Sequence, residues 1–314
     1  MHQDSTDSTA RVAVAFDVAD DAVELFADRL FAAGASAVAE MPCADGLVTL
    51  VADLDLAGLD LVTRSAASSR TAPTPRLRLI EPEVAWNQGW REFARAWQCG
   101  DRVVLRPEWV SAPAEPSTSV TLFAAADRDA TARDAAPDQD ESPEPIEVVI
   151  EPGQAFGSGS HITTRLCAAL LDGCVHGGER VLDVGCGTGV LGVAAAMLGA
   201  DSVTGVDIDP EAVRVAQLVG ERNGVRSRMR VSVAPLARVE GVFELVLANL
   251  LLPIISELGV DLASRVAPGG CLIASGVLVE QQAGVVSALA PLRLDRVTTA
   301  DGWVAMVFRS PGVP

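Results

Sequence analysis

Lysine and tyrosine are absent from this chain of 314 residues, and all 24 of its basic residues are arginine. No lysine side chain is therefore available as a nucleophile, a Schiff-base partner or a phosphate ligand. The net charge of −18 argues against a direct nucleic-acid role, because a duplex-binding surface must neutralise phosphates with basic side chains. The excess acid favours either solubility alone or a basic protein partner.

Cysteine and histidine are too scattered to indicate a metal centre. There are three histidines, and none of the six cysteines forms a CxxC pair: they are Cys43, Cys99, Cys167, Cys174, Cys186 and Cys271. A structural zinc site or a disulfide framework needs closer spacing. We therefore expect no metal, and cysteines that are reduced and mostly buried.

A long apolar run and a targeting segment are also lacking. No apolar run reaches the roughly 20 residues that span a bilayer. The opening stretch, MHQDSTDSTA, lacks the charged start and apolar core of a secretory signal. These features predict a cytoplasmic protein that does not associate with a membrane.

After a tail predicted to be disordered (1–10), residues 11–82 show the alternation of a small α+β domain. RVAVAF, SAVAEM, LVTLVA and RLRLIE read as strands, whereas DDAVELFADRLFAAG and LAGLDLVTRSAASS read as helices. The resulting order, βαββαβ, predicts a ferredoxin-like domain of the split-βαβ type, which is a common recognition module.

Residues 83–145 are predicted to be a linker with two parts. The first is a helix whose aromatic residues share one face at i, i+4, i+7 and i+11: Trp86, Trp90, Phe93 and Trp97. That stripe is either a surface for a partner or a face that packs between the two domains. We favour packing, because aromatic stripes on helices normally face a core. The second part, 111–145, is rich in Pro, Ala, Ser and Asp, and we interpret it as a flexible acidic insertion.

From Ile146 to the end of the chain, strand and helix patterns alternate. Strands are predicted at EVVI, RVLDVG, SVTGVDI, RVSVA, FELVLAN, CLIASG, LRLDRVTT and GWVAMVFR, with helices from about Thr163, Val190, Pro210, Leu252 and Val279. This alternation predicts an α/β domain, with a mostly parallel sheet covered by helices on both faces. Ligands bind such sheets at the carboxyl ends of the strands, near the point where the strand order reverses.

Two glycine-rich stretches lie close together in this domain, IEPGQAFGSGSHITTRL and RVLDVGCGTGVLG. In the second, Gly185, Gly187 and Gly189 allow the backbone to approach a ligand closely. Asp207 ends the next strand, 20 residues beyond Gly187, where a carboxylate accepts both hydroxyls of a ribose. The pair of stretches therefore predicts a bound small molecule that contains a ribose.

The spacing of the glycines in the second stretch distinguishes between two classes of cofactor. A dinucleotide site would follow the GxGxxG pattern with a pyrophosphate at the helix start, whereas this chain has GCGTGVLG with Asp183 at the strand end. A carboxylate beside the turn favours a cofactor that carries a cationic amino-acid group over a pyrophosphate.

Two polar residues outside the glycine turn are candidates for the chemistry. Asn249 ends the strand FELVLAN, and its amide oxygen could orient an attacking amine by accepting a hydrogen bond; alternatively it caps the following turn. His161 is the candidate side-chain base near the site, and the alternative is that it braces its loop.

Several motifs carry a family resemblance. VLDVGCGTG, VTGVDIDPEAV and VLAN resemble the class I S-adenosylmethionine-dependent methyltransferases. EPGQAFGSGSHITTRLC, GDRVVLRPEW and ANLLLPII resemble the ribosomal protein L11 methyltransferase family. The resemblance implies a Rossmann-like seven-stranded methyltransferase domain at 146–314, preceded by the ferredoxin-like domain, which selects the protein substrate.

The resemblance also implies the cofactor, the substrate and the site residues. The cofactor is S-adenosyl-L-methionine, and methyl groups go to lysine or other amino groups of ribosomal protein L11. Another protein lysine, a small amine, or a non-catalytic cofactor-binding role are the alternatives. The partner is thus a protein, without nucleic acid or membrane, and we expect a monomer. Phe156 either covers the adenine or the mouth of the site, or packs within its loop. The implied catalytic residue is Asn249, and the implied cofactor contacts are Thr164, Gly185, Gly187, Asp207 and Asn249.

Overall fold

The computed structural model describes residues 11–19, 23–35, 38–42, 47–68, 76–80, 96–111, 145–150 and 161–312. The described residues up to Ile80 belong to one compact unit, and those from residue 96 onward belong to a second. In these ranges every helix is too short or too polar to span a lipid bilayer.

The first unit contains one four-stranded sheet and two helices. Its elements are β1 (Arg11–Ala19), α1 (Val23–Ala32), β2 (Val38–Pro42), β3 (Leu47–Asp55), α2 (Leu56–Ser68) and β4 (Arg76–Ile80). The strand order is β2-β3-β1-β4, and each neighbouring pair is antiparallel. This is the split-βαβ arrangement, so the predicted ferredoxin-like fold is confirmed.

The core of this unit lies between the sheet and α1. Val14, Phe16 and Val18 recur at the two-residue period of a strand and are buried together with Phe26 and Leu30 of α1. The rings of Phe16 and Phe26 lie 5.1 Å apart in a tilted arrangement, a favourable aromatic geometry. The amphipathic spacing of α1 thus supplies the apolar cover that the sheet needs.

The second unit opens with a small three-stranded sheet formed by β5 (Trp97–Cys99), β6 (Val103–Pro107) and β7 (Ile146–Ile150). β5 pairs with β6 antiparallel, and β6 pairs with β7 parallel. The prediction that Trp97 continues an aromatic helix is wrong, because Trp97 begins a strand, lies opposite Leu105 and is buried. The other aromatic residues of that stripe, and most of the predicted insertion, lie outside the described residues.

The main body of the second unit is a seven-stranded sheet. Its strands are β8 (Arg180–Val184), β9 (Ser202–Asp207), β10 (Met229–Val233), β11 (Phe243–Asn249), β12 (Val266–Leu278), β13 (Arg293–Ala300) and β14 (Trp303–Arg309). They lie in the order β10-β9-β8-β11-β12-β14-β13. The strands pair parallel from β10 to β12, and β14 runs antiparallel to both of its neighbours.

The helices of this body begin close to the predicted positions. They are α3 (Ile162–Leu171), α4 (Val190–Met197), α5 (Pro210–Arg222), α6 (Leu252–Ser264) and α7 (Gln282–Ala288). The start of α5 shows why, since Asp209 accepts a hydrogen bond from the Glu211 N–H and Pro210 occupies the first turn, both of which favour helix initiation. A 3₁₀ turn at Val279–Gln281 precedes α7, so that helix begins three residues later than expected.

Asn223, directly after α5, attaches the small sheet to the end of that helix. Its Oδ1 accepts a hydrogen bond from the Val149 N–H at 2.7 Å, and its Nδ2 donates to the Val149 carbonyl at 2.8 Å. The side-chain amide thus takes the place of a neighbouring strand along β7. The edge strand β7 is thereby anchored to the end of a helix of the main body.

Two glycines in the packed pair α6 and α7 should respond oppositely to alanine. A Cβ on Gly259 would lie 2.3 Å from the Ala288 carbonyl oxygen, whereas a Cβ on Gly284 would meet the end of the Leu252 side chain at 3.1 Å. We expect Gly259→Ala to lower the free energy of unfolding by about 2–3 kcal/mol through overpacking. Gly284→Ala should be neutral or stabilising, because alanine favours a helix by about 1 kcal/mol over glycine. Urea unfolding of both variants tests this, and equal losses would contradict it.

Candidate functional site

The strand order places a crevice at the carboxyl ends of β8 and β11. The chain moves outward from β8 through β9 to β10 and then returns to the other side of β8 with β11. Ligands of open α/β sheets bind at such a reversal. The glycine turn follows β8, Asp207 ends β9 and Asn249 ends β11, so the predicted residues meet at one edge of the sheet.

The glycine turn requires a backbone that other residues rarely adopt. Gly185, Gly187 and Gly189 all have positive φ, at 65°, 51° and 73°, which lies in the region that favours glycine. A Cβ on Gly185 would lie 2.5 Å from Cδ2 of Leu250, the residue after Asn249. The turn therefore lies directly against the end of β11.

Asp207 holds this turn against β9. Its Oδ2 accepts a hydrogen bond from the Gly187 N–H at 2.9 Å, and its Oδ1 accepts one from the Asp209 N–H at 3.0 Å. A carboxylate has about four acceptor positions, so each oxygen keeps capacity for a further donor. The residue is partly exposed, and two hydroxyls of a ligand can therefore be bound there.

Asp183 differs from Asp207 because it is buried. It is 3 % exposed, and its Oδ2 accepts a hydrogen bond from the Gly192 N–H at 3.2 Å. Burial raises the pKa of Asp183 to about 7; the charge of Asp207 adds to the rise, and the hydrogen bond from Gly192 opposes it. The carboxyl group is thus close to half-protonated at neutral pH.

Thr164 and Asn249 meet at the other side of the crevice, although 85 residues separate them. Thr164 lies in the first turn of α3 and is buried. The Asn249 Nδ2 donates to its Oγ1 at 3.5 Å, at the outer limit of a hydrogen bond. The Asn249 Oδ1 is buried and has no hydrogen-bond partner among the described residues. A buried acceptor of this kind fits a donor on a bound molecule.

His161 and Trp303 lie beside this pair. The two rings meet edge to face with centroids 5.0 Å apart, and Trp303 at the start of β14 is 3 % exposed. Trp303 carries no local sequence signal of a site, because it is an isolated tryptophan in the last strand of the sheet. The first glycine stretch, 151–160 with Phe156, lies outside the described residues.

The strand order with one antiparallel strand, the glycine turn after β8 and the acid that ends β9 define a class I methyltransferase domain. The family model described as "Ribosomal protein L11 methyltransferase (PrmA)" matches residues 129–311. The chain belongs to the ribosomal protein L11 methyltransferase family.

Individual relatives agree with this assignment. The ribosomal protein L11 methyltransferase of Pelotomaculum thermopropionicum is 36 % identical over 87 % of this chain and 83 % of its own length. That of Geobacter metallireducens is 37 % identical over 76 % of this chain and 71 % of its own. The crystal structure of the ribosomal protein L11 methylase from Lactobacillus delbrueckii subsp. bulgaricus superposes with a TM-score of 0.54 at 27 % identity, covering 69 % of this chain and 99 % of that chain.

The cofactor of such an enzyme is S-adenosylmethionine, and the residues in the crevice fit it. At Gly185 a Cβ would lie 2.5 Å from the end of the Leu250 side chain, the Asp207 oxygens keep acceptor positions that suit ribose hydroxyls, and the carboxyl group of Asp183 lies behind the turn. A sulfonium and an ammonium group both favour an acidic surrounding.

Replacement of Asp207 should abolish cofactor binding. Asp207→Ala removes the acceptors for two hydroxyls, and hydrogen bonds to a charged group contribute about 1.5–3 kcal/mol each, so we expect an affinity loss of at least about 100-fold. Asp209→Ala is the matched control, since the side chain of this neighbouring acid caps α5 and its backbone N–H, which donates to Asp207, is kept. It should cost about 1 kcal/mol of stability and leave affinity unchanged. Calorimetry with S-adenosylmethionine measures both, and unchanged binding by Asp207→Ala would contradict the assignment.

Asp183 should make stability depend on pH. Because its folded-state pKa of about 7 exceeds the ordinary 3.8, the native state holds more protons than the unfolded chain between these values. This contribution to the free energy of unfolding therefore declines as the pH rises through that window, by up to roughly 4 kcal/mol. Asp183→Asn keeps an acceptor for the Gly192 N–H but does not titrate. Denaturation of both proteins at pH 5 and pH 8 measures the difference, and parallel profiles would contradict the prediction.

Proposed function

We propose that this chain transfers methyl groups from S-adenosylmethionine to lysine and other amino groups of ribosomal protein L11 in the cytoplasm. The family match supports the substrate, since the Pelotomaculum relative aligns over 87 % of the chain and not over the methyltransferase domain alone. The observation that carries the acceptor site is the buried Asn249 Oδ1, which has no hydrogen-bond partner within the part of the chain that the structure describes. A net charge of −18 suits a target that presents basic side chains.

Four residues hold the cofactor in this proposal, and a fifth, Asn249, contacts both the cofactor and the acceptor amine. The Asp207 carboxylate accepts hydrogen bonds from the ribose hydroxyls, while the backbone at Gly185 and Gly187 lies along the methionine portion. Thr164 closes the opposite side from the first turn of α3. Their support is the shared position at the carboxyl edge of β8, β9 and β11. When bound, the cofactor supplies a methyl group that is already activated by a sulfonium.

Asn249 is the group that orients the acceptor. Its Nδ2 donates to Thr164, which leaves the Oδ1 to accept from an amine N–H. The amine nitrogen then directs its lone pair toward the methyl group for an in-line displacement. Alignment and exclusion of water are the principal contributions of the protein to such a step.

The amine must be neutral before it attacks. With a reference pKa of about 10.4, deprotonation of a lysine ammonium at neutral pH costs about 4–5 kcal/mol. Burial of the amine offsets part of this cost, because burial disfavours the charged ammonium form. In the proposed reaction the ammonium loses its proton to solvent before the amine attacks, so no side-chain base takes part.

The ferredoxin-like unit is assigned substrate recognition. It is an independent α+β module with its own core, and the aligned relatives of the same name extend beyond the catalytic domain. In this proposal residues 11–82 bind the protein, and residues 146–314 carry the reaction.

Labelling of purified L11 with isotopic S-adenosylmethionine tests the proposal. We expect label on L11 with the wild-type chain and none with Asp207→Ala. Asn249→Ala should lower kcat by roughly 100-fold through misorientation of the amine, with a smaller loss of cofactor affinity than Asp207→Ala causes. Label on another protein or on a small amine, but not on L11, would reassign the substrate. Cofactor binding without methylation of any added protein or amine would contradict an enzymatic role.

A further inference from the structure

His161 caps the helix that carries Thr164. It occupies the N-cap position of α3, where its Nδ1 accepts a hydrogen bond from the Thr163 N–H at 3.4 Å. The same Nδ1 lies 2.8 Å from the Thr163 Oγ1. Helix starts leave backbone N–H groups without partners inside the helix. The imidazole therefore satisfies a donor that serine, asparagine or aspartate satisfies in most helices.

These contacts assign the protonation state of the ring. A nitrogen that accepts from a backbone N–H carries no hydrogen, so the Nδ1 of His161 is unprotonated and its proton lies on Nε2. Burial of the imidazole lowers the pKa of His161 to about 4, and the positive charge of Arg165 adds to this effect, although the residue as a whole keeps some exposure. The ring is thus neutral at physiological pH.

A neutral ring in this state is poorly suited to remove a proton from the acceptor. Its basic nitrogen is already engaged by Thr163, and the other nitrogen bears a hydrogen. Its conjugate acid is also far stronger than an alkylammonium ion, so transfer from a lysine ammonium to this imidazole is unfavourable. Geometry and basicity therefore both argue against His161 as the general base.

The capped turn is the one that orients Asn249. Thr164 directly follows the capped residue, and its Oγ1 accepts from the Asn249 Nδ2. An asparagine amide can rotate by half a turn and exchange its oxygen and nitrogen. In the present orientation Nδ2 faces Thr164 and Oδ1 remains the acceptor. The Thr164 hydroxyl can both donate and accept, so the first turn of α3 determines where the amide lies rather than which of its ends faces the hydroxyl.

Trp303 holds the other side of the ring. The edge-to-face contact at 5.0 Å is a favourable aromatic geometry. Trp303 itself is fixed in the sheet, because it pairs with Leu278 of β12. The imidazole is therefore held between a strand and the helix that it caps.

We propose that His161 is a positioning residue for methyl transfer: by capping α3 against Trp303 it holds Thr164 in contact with the Asn249 amide and so keeps that amide in place. This inference rests on the proposed function, since the oriented amide oxygen acts on the acceptor amine. His161 itself exchanges no proton during the reaction.

Two substitutions separate this role from that of a base. His161→Ala removes the cap, whereas His161→Asn supplies an amide oxygen that caps helices well but cannot take up a proton. With S-adenosylmethionine and L11, we expect His161→Ala to lower kcat by roughly 10- to 100-fold with a smaller change in KM. His161→Asn should recover most of that loss, and all active variants should keep the wild-type shape of the pH–rate profile. His176→Ala, which alters an exposed histidine after α3, is the control and should match the wild type.

A second measurement needs no substrate. Hydrogen exchange at the Thr163 amide reports directly on the cap, because that N–H donates to the ring. Exchange should be roughly fivefold faster in His161→Ala, as expected for a lost cap, and close to the wild-type rate in His161→Asn. If the wild-type chain leaves L11 unlabelled, the proposed function fails, while exchange still decides whether His161 holds this turn.

Two results would overturn the inference. In the first, His161→Asn is as inactive as His161→Ala, both variants keep the wild-type melting temperature, and the acidic limb of the pH–rate profile is lost. This outcome would assign proton transfer to the imidazole. The other is a Thr163 amide that exchanges equally fast in the wild type and in His161→Ala.

Discussion

The rest of the site depends on the junction between the glycine turn and the end of β9. The Gly185 and Cys186 N–H groups donate to the Val206 carbonyl at 2.8 and 3.1 Å, and the Gly187 N–H donates to Asp207. Three consecutive backbone donors are thus directed at one neighbouring strand end, and they hold the turn against β9. The same junction separates the environments of two carboxylates: Asp207 stays at the rim, and Asp183 is covered.

Most of the fold can be predicted from hydrophobic periodicity and from the glycine and proline residues that mark the ends of helices and strands. The starts of α4, α5 and α6 agree with prediction because glycine or proline marks each of them. Trp97 is the clear failure: its aromatic spacing fits a helix, but pairing with β6 decides its conformation, and tertiary pairing overrides local pattern. β12 likewise begins five residues before the predicted CLIASG. Pro268 and Gly269 are typical turn residues and therefore suggest that the strand starts after them. In the structure they lie within the strand, where its pairing with β11 shifts register.

The candidate site is predictable only in part, for a different reason. Glycine spacing and the acid that follows it identify Gly185, Gly187 and Asp207 because these features lie within one β–α–β segment. No periodicity relates Thr164 to Asn249, and their proximity follows from the packing of α3 beside β11 and β12. Trp303 is more remote still, since it reaches the site through the last strand. The roles of these residues in binding and reaction stay predictions.

Asn223 has a consequence for the small sheet. Through its contacts with Val149, the edge strand β7 is attached to the end of the helix that follows Asp207. The Val149 N–H and carbonyl thus depend on a side chain that lies 74 residues further along the chain. A substitution at Asn223 that left α5 intact would still remove both partners from this strand, so the order of the small sheet is coupled to a single amide of the main body.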